Sequence, residues 1–274
     1  MQYVRKLIVL VVCCALWTAN AAEPKTVTLR QGQGGQRVLS QHGSTFGFFM
    51  PETAGYLFTG LMVGQQGVWL HKAAKVKVDG ANRGWTLTVE DALLKQGKLT
   101  MTVMPLTASN GLILAVQGQR LPADLRFVWA YGGCSAATDS ADKQVFFRPE
   151  QCLYNVFSRE INAFTVYYGP SMRLKVMMGV APSDTELRLA DARQMDTPQA
   201  FWSSGKKTEA PALAGSNSLQ SGVTYYYCVY RQNQEADYNY ERLPALFQRE
   251  STSTQSISHD QAQPHTSFGP DFHF

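Results

Sequence analysis

Apolar and polar positions alternate with a period of two along most of this chain, in short runs rich in β-branched and aromatic residues and separated by Gly, Asn and Pro. In KLTMTVMPL, Leu99, Met101 and Val103 share one face. Ser109-Asn110-Gly111 then turns the chain into GLILAVQG, where Leu112, Leu114 and Val116 alternate again, so the two runs read as an antiparallel hairpin. The pattern recurs in VKVDG, Asn82-Arg83-Gly84 and GWTLTVED, in LRFVWAYGG, in AFTVYYG followed by MRLKVMMGV, and in VTYYYCVYR. Seven or more strands at this spacing predict an all-β fold, an antiparallel β-sandwich with few short helices. Helical pattern is confined to one turn within residues 90–95 and to a short terminal helix over 236–249 that Pro244 interrupts.

The two ends read differently from the middle. Arg5 and Lys6 precede an apolar run from Leu7 to Trp17, and Ala19-Asn20-Ala21 supplies a small-residue cleavage site, so residues 1–22 read as a signal peptide. The residues before Cys13 and Cys14 lack the small side chain expected ahead of a lipid-modified cysteine, which favours soluble export over a lipoprotein. The expected location is periplasmic or cell-surface, with no stable membrane span after cleavage. From Ser251 onward eight of the last 24 residues are Ser or Thr and alternation stops, so a sandwich over 23–248 is expected to give way to a disordered tail over 249–274. His259, His265 and His273 fall in that tail, where no scaffold would hold them as metal ligands.

Composition narrows the class. Hydrophobic residues make up 45% and charged residues 17%, which is globular, and 25 basic against 21 acidic residues give a net charge of +4, too weak for a nucleic-acid footprint. Without Arg5 and Lys6 the balance is 23 against 21, or +2, and no general electrostatic partner is implied. Three cysteines remain: Cys134, Cys152 and Cys228. An exported chain permits a Cys134–Cys152 bridge, worth roughly 3 kcal/mol for a loop of this size, and three buried thiols are an equal alternative. No CxxC or His/Cys ligand spacing occurs, so neither a metal site nor a cofactor is expected.

Catalytic patterns are weak. Gly32-x-Gly34-Gly35 lacks the third glycine and the helix of a phosphate cradle, no Gly-x-Ser-x-Gly elbow exists, and His71 has no visible Ser or Cys partner. Glycoside chemistry needs two carboxyl groups across a cleft. Asp184, Glu186 and Asp191 cluster in a segment that reads as a solvated turn, and Glu90 with Asp91 are adjacent. Asp139, Asp142 and Glu150, near the stretch between Cys134 and Cys152, are the remaining weak candidates. Aromatic residues are a better signal, because the apolar CH face of a pyranose stacks on Trp and Tyr. Most must be core in alternating strands. Trp202, in the loop-like QAFWSSGKK, with Trp69 and Tyr131 are the sugar-stacking candidates.

The succession GLMVGQQGVWLHKA, KLTMTVMPLTASNGLILAV, VWAYGGCS, FFRPEQCLYN, AFTVYYG, GVAPSDTELRLADA and YNYERLPALFQ resembles the N-terminal β-sandwich region of a family of large exported proteins of unknown function from gut-type, polysaccharide-degrading bacteria. Those proteins look like glycoside hydrolases in which a supersandwich-like domain precedes an (α/α)6 helical barrel. The likeness runs over residues 46–248 in collinear order. Two departures stand out: a shorter stretch ahead of FGFFMPETAGYLFTGL, and a loop after Tyr131-Gly132-Gly133 reduced to CSAATDSADKQ. The resemblance implies that catalytic carboxylates belong to the barrel, so it transfers none to this chain.

The leading reading is therefore a non-catalytic sandwich module, carbohydrate-associated, that docks a separate helical-barrel protein or self-associates. A small hydrolase with a cleft near the Cys134–Cys152 loop and a truncated product that lost its barrel are the alternatives.

Overall fold

The computed structural model describes residues 26–31, 36–50, 53–80, 84–134, 148–153, 155–167, 176–205 and 207–253. Along them run β1 (Thr26–Gln31), β2 (Arg37–Gln41), β3 (Thr45–Met50), β4 (Thr53–Val63), β5 (Gln66–Trp69), β6 (Lys75–Gly80), β7 (Trp85–Glu90) and β8 (Lys98–Pro105). There follow β9 (Gly111–Gln119), β10 (Leu125–Cys134), β11 (Val156–Glu160), β12 (Ala163–Tyr167), β13 (Val176–Val180) and β14 (Glu186–Asp191). Helix α1 (Pro198–Ser203), β15 (Pro211–Ser218), β16 (Thr224–Arg231) and helix α2 (Leu243–Thr252) complete the order. The first sheet has the order β1-β2-β3-β4-β10-β15-β14, with β5 on the far part of β4. The second has the order β11-β12-β13-β16-β9-β8-β7-β6. The named strands pair antiparallel throughout. The sandwich expected from the alternation is thus present, and the hairpin over KLTMTVMPL and GLILAVQG has Lys98 opposite Gln119 and Pro105 opposite Leu112.

Alternation also explains the layers. Phe127, Trp129 and Tyr131 of β10, Leu57 and Leu61 of β4, and Tyr225, Tyr227 and Val229 of β16 point between the sheets and join Leu99, Met101, Val103, Leu112, Leu114 and Val116 in one core. The intervening residues face outward. On the first sheet Tyr56, Phe58, Met62, Val128, Ala130 and Ala212 are covered by α1 and by short 3-10 turns at Pro149–Cys152 and Ala192–Gln194. On the second sheet Ile113, Val180, Cys228 and Tyr230 lie under Leu243 and Leu246 of α2. Both outer faces are apolar at their centres and closed by small covers.

Strands β3, β4 and β15 escape a period-two reading because both of their faces are buried: every described side chain of β3 is buried, and β15 presents small residues to each side. Two cross-strand pairs fill the core by placing a ring over a glycine: Trp129 opposite Gly215 and Phe164 opposite Gly179. A Cβ on Gly215 would stand 2.1 Å from the indole carbons, and one on Gly179 2.0 Å from the Phe164 ring, so only glycine admits these rings.

Several local expectations change. The turn within residues 90–95 is a 3-10 turn at Ala92–Leu94, capped by the Asp91 carboxylate accepting from Leu93 N at 3.0 Å. Pro244 starts a helix rather than interrupting one: it sits in the first turn of α2, where no backbone N–H is required. α2 continues to Thr252, so residues 249–252 are helical rather than part of the tail expected from 249. Glu250 holds it there, fully buried and accepting from Thr107 N (3.1 Å) and Thr107 Oγ1 (3.0 Å). Residues 1–22 and 254–274, with His259, His265 and His273, lie outside the described residues.

Candidate functional site

The aromatic residues singled out for sugar stacking are core. Tyr131 is 0% exposed, packed between Phe48 and Phe164 at ring distances of 6.1 and 5.5 Å. Trp69 is 1% exposed; its Nε1 donates to Met195 O at 2.7 Å and its ring meets Phe58 and Phe201. Trp202 stands on α1, not in a loop, because Thr197 caps that helix from its side-chain oxygen and Pro198 occupies its first turn. Its ring is 9% exposed and roofed by the guanidiniums of Arg188, 3.7 Å from the centroid, and Arg126, 5.7 Å. These burials correct the expectation that the three rings offer free faces to a ligand. Alternation gives a side chain's face, and covers closed over the outer face too.

Among the carboxylates, Asp139 and Asp142 lie outside the described residues. Glu150 is exposed in the turn Pro149–Cys152. Cys152 beside it is buried, its thiol 3.6 Å from Gly133 O, and Asn155 Nδ2 donates to the same carbonyl at 3.2 Å. The Cys134 side chain lies outside the described residues, but Cys152 carries a thiol, which corrects the expectation of a Cys134–Cys152 bridge. Cys228 is a free thiol buried under α2, and burial pushes its pKa well up, as expected for a packed strand residue.

Glu186 and Asp191 belong to β14 rather than to a solvated turn. Glu186 lies between Arg126 (3.8 Å) and Arg188, forming the charged lid over Trp202. Asp191 accepts from Arg193 N at 2.9 Å and caps the next turn. His71 ends up in the 3-10 turn Leu70–Lys72, edge-on to Phe58 and 6.0 Å from the ring of His42. Burial, then the charges of Lys72 and His42, lower its pKa to about 4, so the imidazole is neutral at physiological pH; its Nδ1 is buried without a hydrogen-bond partner. Burial also lowers His42. No three His, Cys, Asp or Glu side chains converge on a metal position among the described residues.

Sequence reasoning missed a second aromatic group. At the margin of α2, Tyr226 of β16, Phe247 of α2, and Tyr238 and Tyr240 just before the helix are all half-buried against the outer core of the second sheet. Tyr226 and Phe247 are 5.6 Å apart and inclined at 57°. Tyr238 N donates to the Tyr230 hydroxyl at 3.1 Å, and burial pushes the pKa of Tyr230 up to about 12. The signal available was the unbroken tyrosine run in TYYYCVY, where Tyr225 and Tyr227 turn inward and Tyr226 outward.

Residues 50–251 match the DUF4450 family, a domain of unknown function. The chain belongs to that family. The DUF4450 match runs from the end of β3 into α2, so the buried Glu250 latch lies within it. No curated protein matches the chain. Among solved structures, this DUF4450 chain is similar to a bacterial glucoamylase complexed with acarbose, at 12% identity and a TM-score of 0.48, over 78% of this chain and 34% of that one. It is also similar to the alpha-N-acetylgalactosaminidase NagBb from Bifidobacterium bifidum in a GalNAc complex, at 11% identity and a TM-score of 0.41, over 77% and 35%. The chain thus spans about a third of the length of each. No helix among the described residues is long and apolar enough to cross a membrane.

Proposed function

We propose that this DUF4450 chain is a non-catalytic β-sandwich module of an exported, carbohydrate-handling system, working beside a separate helical-barrel protein or a second copy of itself. The observation that carries the reading is how the sandwich is filled. Between the sheets, the space bordered by Leu57, Leu114, Trp129, Phe164 and Tyr227 amounts to about 10 Å³, room for one water and none for a substrate. The resemblance of the segment order to sandwich regions of glycoside-hydrolase-like proteins supports an accessory role, while the DUF4450 family itself has no assigned function. The aromatic density of TYYYCVY is accounted for largely within the chain, since Tyr225 and Tyr227 fill the inner core and Tyr230 lies under α2. A partner surface is therefore sought at the half-buried rings around α2 rather than at a bare sheet face.

The test is reducing-sugar release from plant and host glycans by the purified chain, with light scattering and pulldown of helical-barrel proteins from the source cells. The expected result is no hydrolysis together with an oligomer or a recovered barrel. Hydrolysis abolished by Asp139→Asn or Glu150→Gln would establish the small-hydrolase reading instead, and a monomer with no barrel recovered would remove the docking half.

A further inference from the structure

Two histidines distant in sequence come together at one end of the first sheet, with ring centres 6.0 Å apart and planes inclined at 31°. His42 is exposed in the turn between β2 and β3, at φ 54°. Its neighbours hold that turn: Gly43 O accepts from Trp85 Nε1 at 2.9 Å and Gln41 O from Thr45 Oγ1 at 2.6 Å. His71 lies half-buried in the 3-10 turn Leu70–Lys72, closed by the bond from Ala73 N to Leu70 O at 3.2 Å, and its ring rests edge-on to Phe58 at 5.7 Å. The adjacent Lys72 Nζ donates to Asp196 O at 3.5 Å, so that carbonyl shares its charge. His71 Nδ1 is buried with no hydrogen-bond partner, a cost that a native structure does not leave unanswered without reason.

We infer that His42 and His71 form a two-imidazole site for a divalent transition-metal ion of the Ni(II), Cu(II) and Zn(II) group, with the remaining coordination positions open to water. At a nitrogen-to-metal distance of about 2.1 Å each ring centre stands roughly 3.2 Å from a shared ion, so the two centres are about 4.5 Å apart for right-angled ligation and about 6.4 Å for linear ligation. The observed 6.0 Å lies within that range, and rotamer freedom of the exposed His42 supplies the adjustment. Ligation through His71 Nδ1 gives that buried atom the partner it lacks. No third His, Cys, Asp or Glu joins the pair among the described residues, so the donor set is imidazole alone. Imidazole suits Cu(II), Ni(II) and Zn(II), whereas Mg(II) and Ca(II) take oxygen ligands. With two protein ligands the ion stays accessible, which is the arrangement of reversible uptake rather than of a closed structural centre.

Isothermal titration calorimetry of the untagged full chain with NiCl2, and with MgCl2 as the control, tests the site. His259, His265 and His273 are replaced by Gln throughout, which leaves His42 and His71 as the chain's only histidines. One Ni(II) should bind and Mg(II) should not. His42→Asn, at a left-handed position that Asn tolerates, and His71→Phe, which keeps a ring against Phe58, should each weaken Ni(II) binding roughly tenfold or more. His42→Asn should do so with the metal-free melting midpoint unchanged. With CuCl2 as the probe, electron paramagnetic resonance should show splitting by two nitrogens in the parent and by one in either variant. Absence of Ni(II) binding, equal binding of Mg(II), Ni(II) affinity unchanged in either variant, or the same nitrogen count in parent and His42→Asn would overturn the inference.

Discussion

A methyl group at position 215 tests how the two sheets are held apart. Gly215 of β15 lies opposite Trp129 of β10, and a Cβ there would stand 2.1 Å from both Cε2 and Cζ2 of the indole. Carbon atoms come to rest about 3.5–4.0 Å apart, so the ring must move by roughly 1.5 Å. It has little room: Trp129 is 3% exposed, its ring is 5.3 Å from that of Phe164, and the void beside them is about 10 Å³. Overpacking costs about 1–3 kcal/mol, and loss of the aromatic contact adds about 0.5–1.5, so Gly215→Ala should destabilise the domain by roughly 2–4 kcal/mol. At about 2–4 °C per kcal/mol for a chain of this size, the melting midpoint followed by circular dichroism should fall by roughly 5–15 °C, with a changed near-ultraviolet tryptophan signal. Trp129→Phe makes space for the methyl and deletes a buried indole N–H that has no acceptor, so the double variant should be more stable than the sum of the single changes predicts. A Gly215→Ala protein melting within about 2 °C of the parent, with the same near-ultraviolet spectrum, would falsify this account of the core.

Other expectations follow from particular contacts. Glu250→Ala removes the acceptor for both Thr107 groups and should cost about 3 kcal/mol, with faster amide exchange across α2 and a smaller loss for Glu250→Gln; unchanged exchange would refute the latch. His71 has a pKa of about 4 in the folded chain against an ordinary 6.5, so the stability its neutral form contributes is complete above pH 6.5 and lost as pH falls toward 4. Discounted for a partly solvated ring, the loss is about 1–2 kcal/mol, and His71→Phe should flatten that part of a melting-point-against-pH curve; an identical curve would discard the assignment. For the cysteines, Cys152 and Cys228 are both buried thiols, so alkylation without reductant should label each only after unfolding; rapid labelling of either in the folded protein, or a Cys134–Cys152 linked peptide in non-reducing mapping, would refute this packing.

Much of the fold was legible because strand periodicity is local. Leu99, Met101 and Val103 point the same way in any strand, and the turn at Ser109-Asn110-Gly111 sets the register with Leu112, Leu114 and Val116. Strands buried on both faces were not legible, since FGFFM and PALAGSNS carry no alternation to read. The site was harder. Trp69, Trp202 and Tyr131 look available along the chain, but the arginines over Trp202 and the Met195 carbonyl that accepts from Trp69 come from segments distant in sequence. Tyr226, Tyr240 and Phe247 meet only because α2 lies across β16.

The sequence by itself determined an antiparallel sandwich, which side chains share a face of each recognisable strand, and where the hairpins turn, because these depend on the two-residue repeat and on turn chemistry a few residues long. Only the tertiary structure decided which outward faces are covered and which rings keep a side to solvent. That depends on where α1, α2 and the 3-10 turns come to rest, and they are held by contacts as far apart as Thr107 with Glu250 and Trp69 with Met195, which no local pattern encodes.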